Sequence, residues 1–237
     1  MNVLVACEES QEVCKAFREL GHEAYSADIQ PCSGGHPEWH YKGDVLNLMN
    51  PCWICSIDPD IPDEMFGEFQ TQDGKLHELP PRWDLIIAHP PCTYLSNAGA
   101  CRLYPQKGKI DWNRYDKGMK ASKFFAEFYL YEKCDKICIE NPIPSKVFRL
   151  PPYTQTIQPY QFGEPYSKKT CLWLKGLPKL EPTDVLTEYK PYVSCGTSRN
   201  KGNPDKAGFS RKGGAAKVRS KTFPGIARAM AAQWGGL

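Results

Sequence analysis

The stretch DLIIAHPPCTYLSNAG, residues 84–99, ends an apolar run with two prolines and then presents a cysteine. The run Leu85–Ala88 is typical of a parallel strand that is buried on both faces. Pro90 and Pro91 lack the backbone N–H that a sheet needs, so Cys92 should lie in a stiff turn just past the strand's carboxyl end. Open α/β sheets bind their ligands at that edge. A thiolate there can act as a nucleophile, although a lone Pro-Pro-Cys turn is more often structural.

A second apolar run, KICIENP at residues 136–142, also ends in polar residues and a proline. The carboxyl ends of parallel strands meet at one edge of a sheet. We therefore expect Glu140 and Asn141 to lie at the same edge as Cys92.

The elements that must position these residues begin with a strand, a helix and a second strand. Asn2–Ala6 is an apolar strand candidate, Ser10 can cap the helix that follows, and Gly21 can end it. The apolar face of this helix is formed by Val13, Cys14, Phe17 and Leu20. The second strand ends near Asp28. Such a unit within thirty residues predicts an α/β fold with a mostly parallel, doubly wound sheet.

The length favours one domain, residues 1–237, with an inserted loop at about 51–82 that is rich in Pro, Asp and Trp and has no periodicity. KKTCLWLKG, residues 168–176, predicts a further strand. FPGIARAMAAQWG, residues 223–235, predicts a short closing helix. One side of that helix carries Ile226, Met230 and Trp234.

The composition, 41% hydrophobic and 24% charged, is typical of a soluble globular protein, and no apolar run approaches the ~20 residues of a membrane span. The first residues resemble a strand and not a signal peptide, so we expect a cytoplasmic protein with no membrane partner. Its eleven cysteines should then be reduced. Five cysteines and histidines in one stretch leave a zinc site open as an alternative to plain thiols. These are Cys32, His36, His40, Cys52 and Cys55.

Positive charge is concentrated in one segment, about 190–221, which we call the basic segment. It holds nine Lys or Arg, one acid and five glycines, a net charge of +8, whereas the rest of the chain carries −5. A flexible, positive segment suits a phosphate backbone. A solvated loop is the alternative.

PPCTYLSNAG resembles the nucleophile motif of the DNA cytosine-5 methyltransferases, a Pro-Cys followed by Ser and then Ala-Gly. Here these residues are Pro91, Cys92, Ser96, Ala98 and Gly99. IENP is similar to the Glu-Asn motif of the same family and follows at a family-like distance. The chain resembles most the small methylase-like proteins of bacteriophages, and it lacks a full target-recognition domain.

The resemblance implies a Rossmann-like methyltransferase fold and methyl transfer from S-adenosylmethionine to C5 of cytosine in DNA. Cys92 would add to C6 of the ring, and Glu140 would give a proton to N3 as charge builds there. Such a glutamate needs a raised pKa, which a pocket without water provides. We therefore predict that Cys92 and Glu140 are the catalytic residues and that no metal takes part.

The resemblance also implies cofactor contacts. Asp28 and Asp44 fall where the family binds the ribose and adenine, and we add His89 and Pro90 of the turn. The family's first loop is glycine-rich, whereas this chain has EESQ at residues 8–11. The carboxylate of Glu8 could replace a backbone contact by accepting from the cofactor.

The partner that follows is DNA, either a duplex whose base is flipped out or a single strand. Its contacts should be largely sequence-neutral and sensitive to salt. The residues that we assign to nucleic acid are Ser96, Asn141, Lys168, Lys169, Arg199, Lys201, Arg211 and Lys212.

Two other functions stay open. An amino-methyltransferase acting on adenine N6 or cytosine N4 uses a similar Pro-Pro turn, but HPPC lacks the amide or carboxylate that would accept from the target amine. A degenerate methylase fold could bind nucleic acid without catalysis. The recognition sequence, the choice among DNA, RNA and nucleotide, and the oligomeric state do not follow from the residues.

Overall fold

The computed structural model describes residues 1–50, 67–100, 102–106, 108–192 and 221–237. Its strands are β1 (Asn2–Ala6), β2 (Glu23–Asp28), β3 (His40–Lys42), β4 (Glu68–Gln70), β5 (Leu76–Glu78), β6 (Leu85–Ala88), β7 (Ile137–Pro142), β8 (Gln155–Ile157), β9 (Tyr166–Ser167), β10 (Thr170–Lys175) and β11 (Lys190–Pro191). Its α-helices are α1 (Glu12–Glu19), α2 (Leu46–Met49), α3 (Asn97–Ala100), α4 (Trp112–Tyr129) and α5 (Pro224–Trp234).

In the described part of the chain, seven strands form one sheet in the order β3-β2-β1-β6-β7-β10-β8. The first five in that order are parallel, whereas β10 is antiparallel to both of its neighbours. The chain leaves β1 toward β2 on one side and returns to β6 on the other. The crevice at the carboxyl ends of β1 and β6 is thus the switch point of a doubly wound sheet. The predicted fold class is confirmed as α/β, with a mostly parallel, doubly wound, Rossmann-like sheet.

Both faces of the sheet are covered, because successive residues of a strand point to opposite sides. Val3 and Val5 of β1 belong to an apolar cluster with residues of α1 and α5. Leu4 and Ala6 belong to a second cluster, on α4. Burial on both faces is what makes these strands continuous apolar runs.

Helix α1 starts differently from the prediction. Gln11 stands at the N-cap with a φ of 60°, and no side chain of that residue caps the helix. The predicted cap by Ser10 is therefore wrong. Leu20 lies beyond the helix and is 54% exposed, so its place on the buried face is also wrong. Gly21 ends the helix as predicted, with a φ of 81° that favours glycine.

The later predicted elements are confirmed as β10 and α5, and the three apolar residues assigned to one side of α5 are buried. Of the predicted inserted loop, residues 51–66 lie outside the described residues, and the described remainder includes the antiparallel hairpin β4–β5. Residues 193–220 of the basic segment are also outside. None of the described helices combines the length and the apolarity that crossing a bilayer requires.

Candidate active site

The turn after β6 is fastened to its neighbours on both sides. The backbone N–H of His89 donates to the carbonyl of Ala6, at the end of β1, over 2.9 Å. The side-chain amide of Asn141, which is buried at the end of β7, donates to the carbonyl of Pro90 over 2.9 Å. The two prolines are therefore held between β1 and β7, and Cys92 follows them as a half-buried thiol.

The spacing of the cysteine motif has a structural reason. The N–H of Ser96 donates to the carbonyl of Cys92 over 3.0 Å, and the Ser96 hydroxyl accepts from the N–H of Gly99 over 3.2 Å. A Cβ on Gly99 would lie 2.2 Å from the carbonyl oxygen of Thr93, closer than atoms can pack. Ser96 is buried and closes this turn. Its predicted contact with nucleic acid stays a prediction.

The loops after β6 and β7 form one unit. The N–H of Asn97 donates to the carbonyl of Ile143 over 2.8 Å, and that of Ser145 donates to the carbonyl of Leu95 over 2.7 Å. The predicted placement of the Cys92 and Glu140 segments at one sheet edge is confirmed.

Arg114, on α4, is a residue that sequence reasoning missed. Its Nη2 donates to the carbonyls of Thr93 at 3.1 Å and Gly99 at 3.2 Å, and its guanidinium lies 4.9 Å from the centre of the Tyr94 ring. Arg114 thereby clamps the turn that carries Cys92. No local pattern announces this contact, since an arginine on a polar helix face is ordinarily solvated.

Glu140 forms a buried ion pair with His89. Nδ1 of His89 lies 3.1 Å from Oε2 of Glu140, and each side chain is 10% exposed. The hydroxyl of Thr222 donates to the same oxygen over 3.2 Å. Thr222 precedes α5 and lies 82 residues along the chain from Glu140, so no sequence pattern indicates this contact.

The pKa of Glu140 differs from the prediction. Burial alone would raise it, but the hydrogen bond and charge of His89, with Lys168 and Thr222, bring the pKa below its ordinary value of 4.5. The expected raised pKa of Glu140 is therefore wrong for the free protein. For His89, burial opposes protonation, yet the hydrogen bond to Glu140 and the charges of Glu140 and Glu8 raise its pKa.

Glu8 is buried and caps α1 from the preceding loop. Oε1 accepts from the N–H of Val13 over 2.7 Å and Oε2 from that of Cys14 over 3.2 Å. Burial raises the pKa of Glu8, and the charge of His89 opposes that shift. Both oxygens are thus engaged within the protein, as in a helix-start acid favoured by the dipole. A role in cofactor binding stays a prediction.

The first loop turns without glycine. Cys7 and Gln11 both have a φ of 60°, the left-handed region that glycine usually occupies. Asp28, at the end of β2, accepts from the N–H of Gln30 over 2.8 Å, and burial raises its pKa. Asp44 is exposed and accepts from a backbone N–H at the start of α2. Desolvation raises the pKa of the Cys7 thiol, and the charges of Asp28 and Asp44 raise it further.

The six lysines and arginines that we predict to contact nucleic acid divide into two groups. Lys169 is exposed. The charge of Lys168 acts on both His89 and Glu140, and its Nζ lies 3.4 Å from the carbonyl of Lys221. Lys221 in turn reaches Ser33, in the loop after β2, over 3.4 Å. The described start of the tail therefore crosses the carboxyl edge. The other four residues lie outside the described part of the chain: Arg199, Lys201, Arg211 and Lys212.

The zinc alternative gains no support from the residues that the structure describes, among which no three His, Cys, Asp or Glu side chains could share an ion. Both ring nitrogens of His40 are hydrogen-bonded, to Ser26 and to a carbonyl. His36 pairs with Glu38. Cys52 and Cys55 lie outside the described residues.

Comparison with known proteins finds only a weak similarity, and only to solved structures. No family model and no curated protein matches the chain. The 41 matching chains of solved structures include a protein encoded within an E. coli prophage and described as a candidate DNA modification methyltransferase. The sequences are 13% identical, with a TM-score of 0.40 over 81% of this chain and 53% of that chain. This chain therefore spans about half the length of that protein.

Proposed function

We propose that this protein is a DNA methyltransferase that moves a methyl group from S-adenosylmethionine to C5 of cytosine, through a bond between Cys92 and C6. The observation that carries the proposal is that the two motif loops, after β6 and β7, are hydrogen-bonded to each other at the carboxyl edge of the sheet. A half-buried thiol follows a turn fixed by Asn141, and an acid occupies the end of the next strand. A structural proline turn has no need of that acid beside it.

The residues at the carboxyl edge of the sheet suit the ribose of S-adenosylmethionine. Asp28 is a half-buried acceptor at the end of β2, where α/β proteins bind a ribose diol. Asp44 stands at the next turn. When bound, the cofactor supplies the methyl group as an electrophile. Glu8 fits less directly, because its two oxygens hold α1. We infer that it shapes the cofactor loop by fixing the helix behind it.

The chemistry explains why a thiol and a carboxyl group belong together. C5 of cytosine is a poor nucleophile until a soft nucleophile adds to C6, and a thiolate is suited to adding and later leaving. Glu140 can accept from the exocyclic amine of the base and pass a proton to N3, which removes the charge that addition creates. After methyl transfer, a base takes the C5 proton and Cys92 is expelled.

DNA contacts in this proposal come from Lys168, Lys169 and the basic segment. The tail that begins at Lys221 crosses the edge of the site, so the basic segment connects to it directly. Cations there would bind phosphates without reading sequence. The target base must leave its stack or come from a single strand, because a stacked base cannot reach Cys92.

Transfer of a labelled methyl group from S-adenosylmethionine to DNA of known sequence tests the proposal, with mass spectrometry of the digested nucleosides. We expect 5-methylcytosine as the labelled product. Label in N6-methyladenine or N4-methylcytosine would contradict the proposal and support an amino-methyltransferase. If no label is transferred and calorimetry detects DNA binding without cofactor binding, the chain is a nucleic-acid-binding protein with a degenerate methylase fold.

A further inference from the structure

The His89–Glu140 pair has one route for a proton. Nδ1 of His89 faces Oε2 of Glu140 at 3.1 Å, and Nε2 is buried with no hydrogen-bond partner among the described residues. Thr222 donates to the same Glu140 oxygen and so holds the acceptor in place. A proton on Nδ1 can therefore pass to Glu140 and to no other described group.

The charges that act on the His89 ring come from three parts of the chain. Glu140 lies on β7, Glu8 in the loop after β1, and Lys168 just before β10, and each acts on the His89 ring. The charges of the two carboxylates favour a protonated imidazole, and that of the ammonium opposes it. Burial would otherwise penalise the charged ring, but the carboxylates outweigh it and raise the pKa of His89.

The ionised state of Glu140 conflicts with its proposed role as the acid that protonates N3. Glu140 is ionised beside His89, and an ionised carboxylate has no proton to give to N3 of a base. The proton that the reaction needs is on the other member of the pair. We propose that His89 stores that proton and acts as a positioning residue through Glu140, an inference that rests on the proposed cytosine-5 methylation.

The proposed step balances. As the thiolate of Cys92 forms its bond to C6, the C5=C6 pair moves into C4=C5 and the C4=N3 pair forms an N3–H bond with a proton from Glu140. Because Glu140 is ionised at rest, that proton first reaches it from Nδ1 of His89, so the step leaves Glu140 as a carboxylate and His89 as a neutral imidazole protonated at Nε2. When Cys92 is expelled, the N3 proton returns to Glu140 and then to Nδ1. The proton that leaves His89 returns to it in each turnover, so this transfer needs no additional proton donor.

Nuclear magnetic resonance of protein labelled with ¹⁵N at its five histidines tests whether His89 holds the proton in the cofactor-free protein. His89→Asn identifies the His89 signals by their loss. We expect the wild-type ring to be mostly protonated at both nitrogens at pH 6.5, because its pKa is raised above 6.5, the ordinary value. Glu140→Gln should lower that pKa. A His89 ring that is neutral near pH 6.5, or one unaffected by Glu140→Gln, would overturn the proposal.

Kinetics of His89→Asn separate proton storage from a purely structural role of His89. Asparagine can still donate an N–H toward Glu140 but has no transferable proton, so a purely structural role would survive the change. We expect kcat to fall about 10²–10⁴-fold near neutral pH, the usual contribution of a placed acid, with KM for DNA unchanged. The residual activity should increase as the pH falls, because Glu140 must then bind the proton itself. A kcat and pH profile equal to wild type would overturn the proposal.

The two proposals fail in different ways. If wild-type protein transfers no methyl group to cytosine C5, the proposed function is wrong and the proton store is wrong with it. If wild-type protein makes 5-methylcytosine while His89→Asn keeps the wild-type kcat and pH profile, the function stands and the store alone is wrong. Circular dichroism and thermal melting of each variant show whether it is folded, and Glu140→Gln provides the second variant if His89→Asn is not.

Discussion

Removal of the Arg114 side chain should loosen the turn that carries the nucleophile. Its Nη2 bonds to the carbonyls of Thr93 and Gly99 at 3.1 and 3.2 Å, and its guanidinium lies 4.9 Å from the centre of the Tyr94 ring. Arg114→Ala deletes all three interactions at once. Alanine is a good helix former, so α4 itself should persist.

The size of the effect follows from these interactions. Hydrogen bonds from a charged group contribute about 1.5–3 kcal/mol each, and an exposed cation–π contact about 0.5–1 kcal/mol. Arg114 is half-buried, and water can reach the two carbonyls once it is gone, so we discount the sum to about 1–2 kcal/mol. Lys120→Ala is the matched control on the same helix. Its pair with Asp116 is 76% and 62% exposed and should be worth about 0–0.5 kcal/mol.

Two measurements check this prediction. Urea unfolding gives the free energy of unfolding of each variant, and mass spectrometry gives the rate at which iodoacetamide alkylates Cys92. We expect Arg114→Ala to lower the first and accelerate the second, and Lys120→Ala to do neither. Equal unfolding free energies in the two variants, together with wild-type alkylation of Cys92, would refute the clamp.

Three further predictions concern packing, pH and DNA. Gly99→Ala should cost about 1–3 kcal/mol in urea unfolding, because its Cβ would lie 2.2 Å from the Thr93 carbonyl, whereas Gly236→Ala, with no atom within 4 Å, should be near neutral. The stability that the charge of His89 contributes is present below pH 6.5 and is lost as the pH rises through the raised pKa of the folded state. His89→Asn should therefore flatten this decline of the unfolding free energy with pH. An unchanged decline in the variant would contradict the prediction. Neutralising four arginines and lysines of the basic segment should weaken DNA binding across sequences. The slope of the logarithm of the binding constant against the logarithm of the salt concentration should fall by about one for each phosphate that is no longer neutralised. An unchanged slope would show that the segment does not contact DNA.

The sheet could be predicted because its signals are local. The apolar run of Asn2–Ala6, the helix after it and the acid at the end of the next strand each carry their own pattern. The cap of α1 could not be predicted in the same way, since Ser10 has the usual residue type for a cap but Glu8, with a longer side chain, reaches the free N–H groups instead. Local propensity there gave way to a tertiary contact.

The sequence predicts which residues lie at the candidate site better than it predicts their contacts and pKa values. Cys92 and Glu140 share one edge because parallel strands end together, and that much follows from two apolar runs. The same reasoning puts His89 at that edge, so a signal for its pairing with Glu140 is present in the sequence. The contacts of Thr222 and Arg114 could not be predicted, because each depends on how a separate element packs: Thr222 lies 82 residues from Glu140, and Arg114 lies on α4, 21 residues from Thr93.

The bond between Cys92 and the target ring is the central claim, and 5-fluorocytosine in the DNA tests it most directly. Fluorine cannot leave as a proton, so the methylated adduct cannot eliminate, and protein and DNA should stay joined in a denaturing gel with S-adenosylmethionine present. Cys92→Ser should abolish the joined species, because a hydroxyl is far less ionised than a thiol. Cys32→Ser, at another half-buried thiol, should keep it. Methylation of cytosine by wild-type protein without a trapped species, or full activity in Cys92→Ser, would contradict the account.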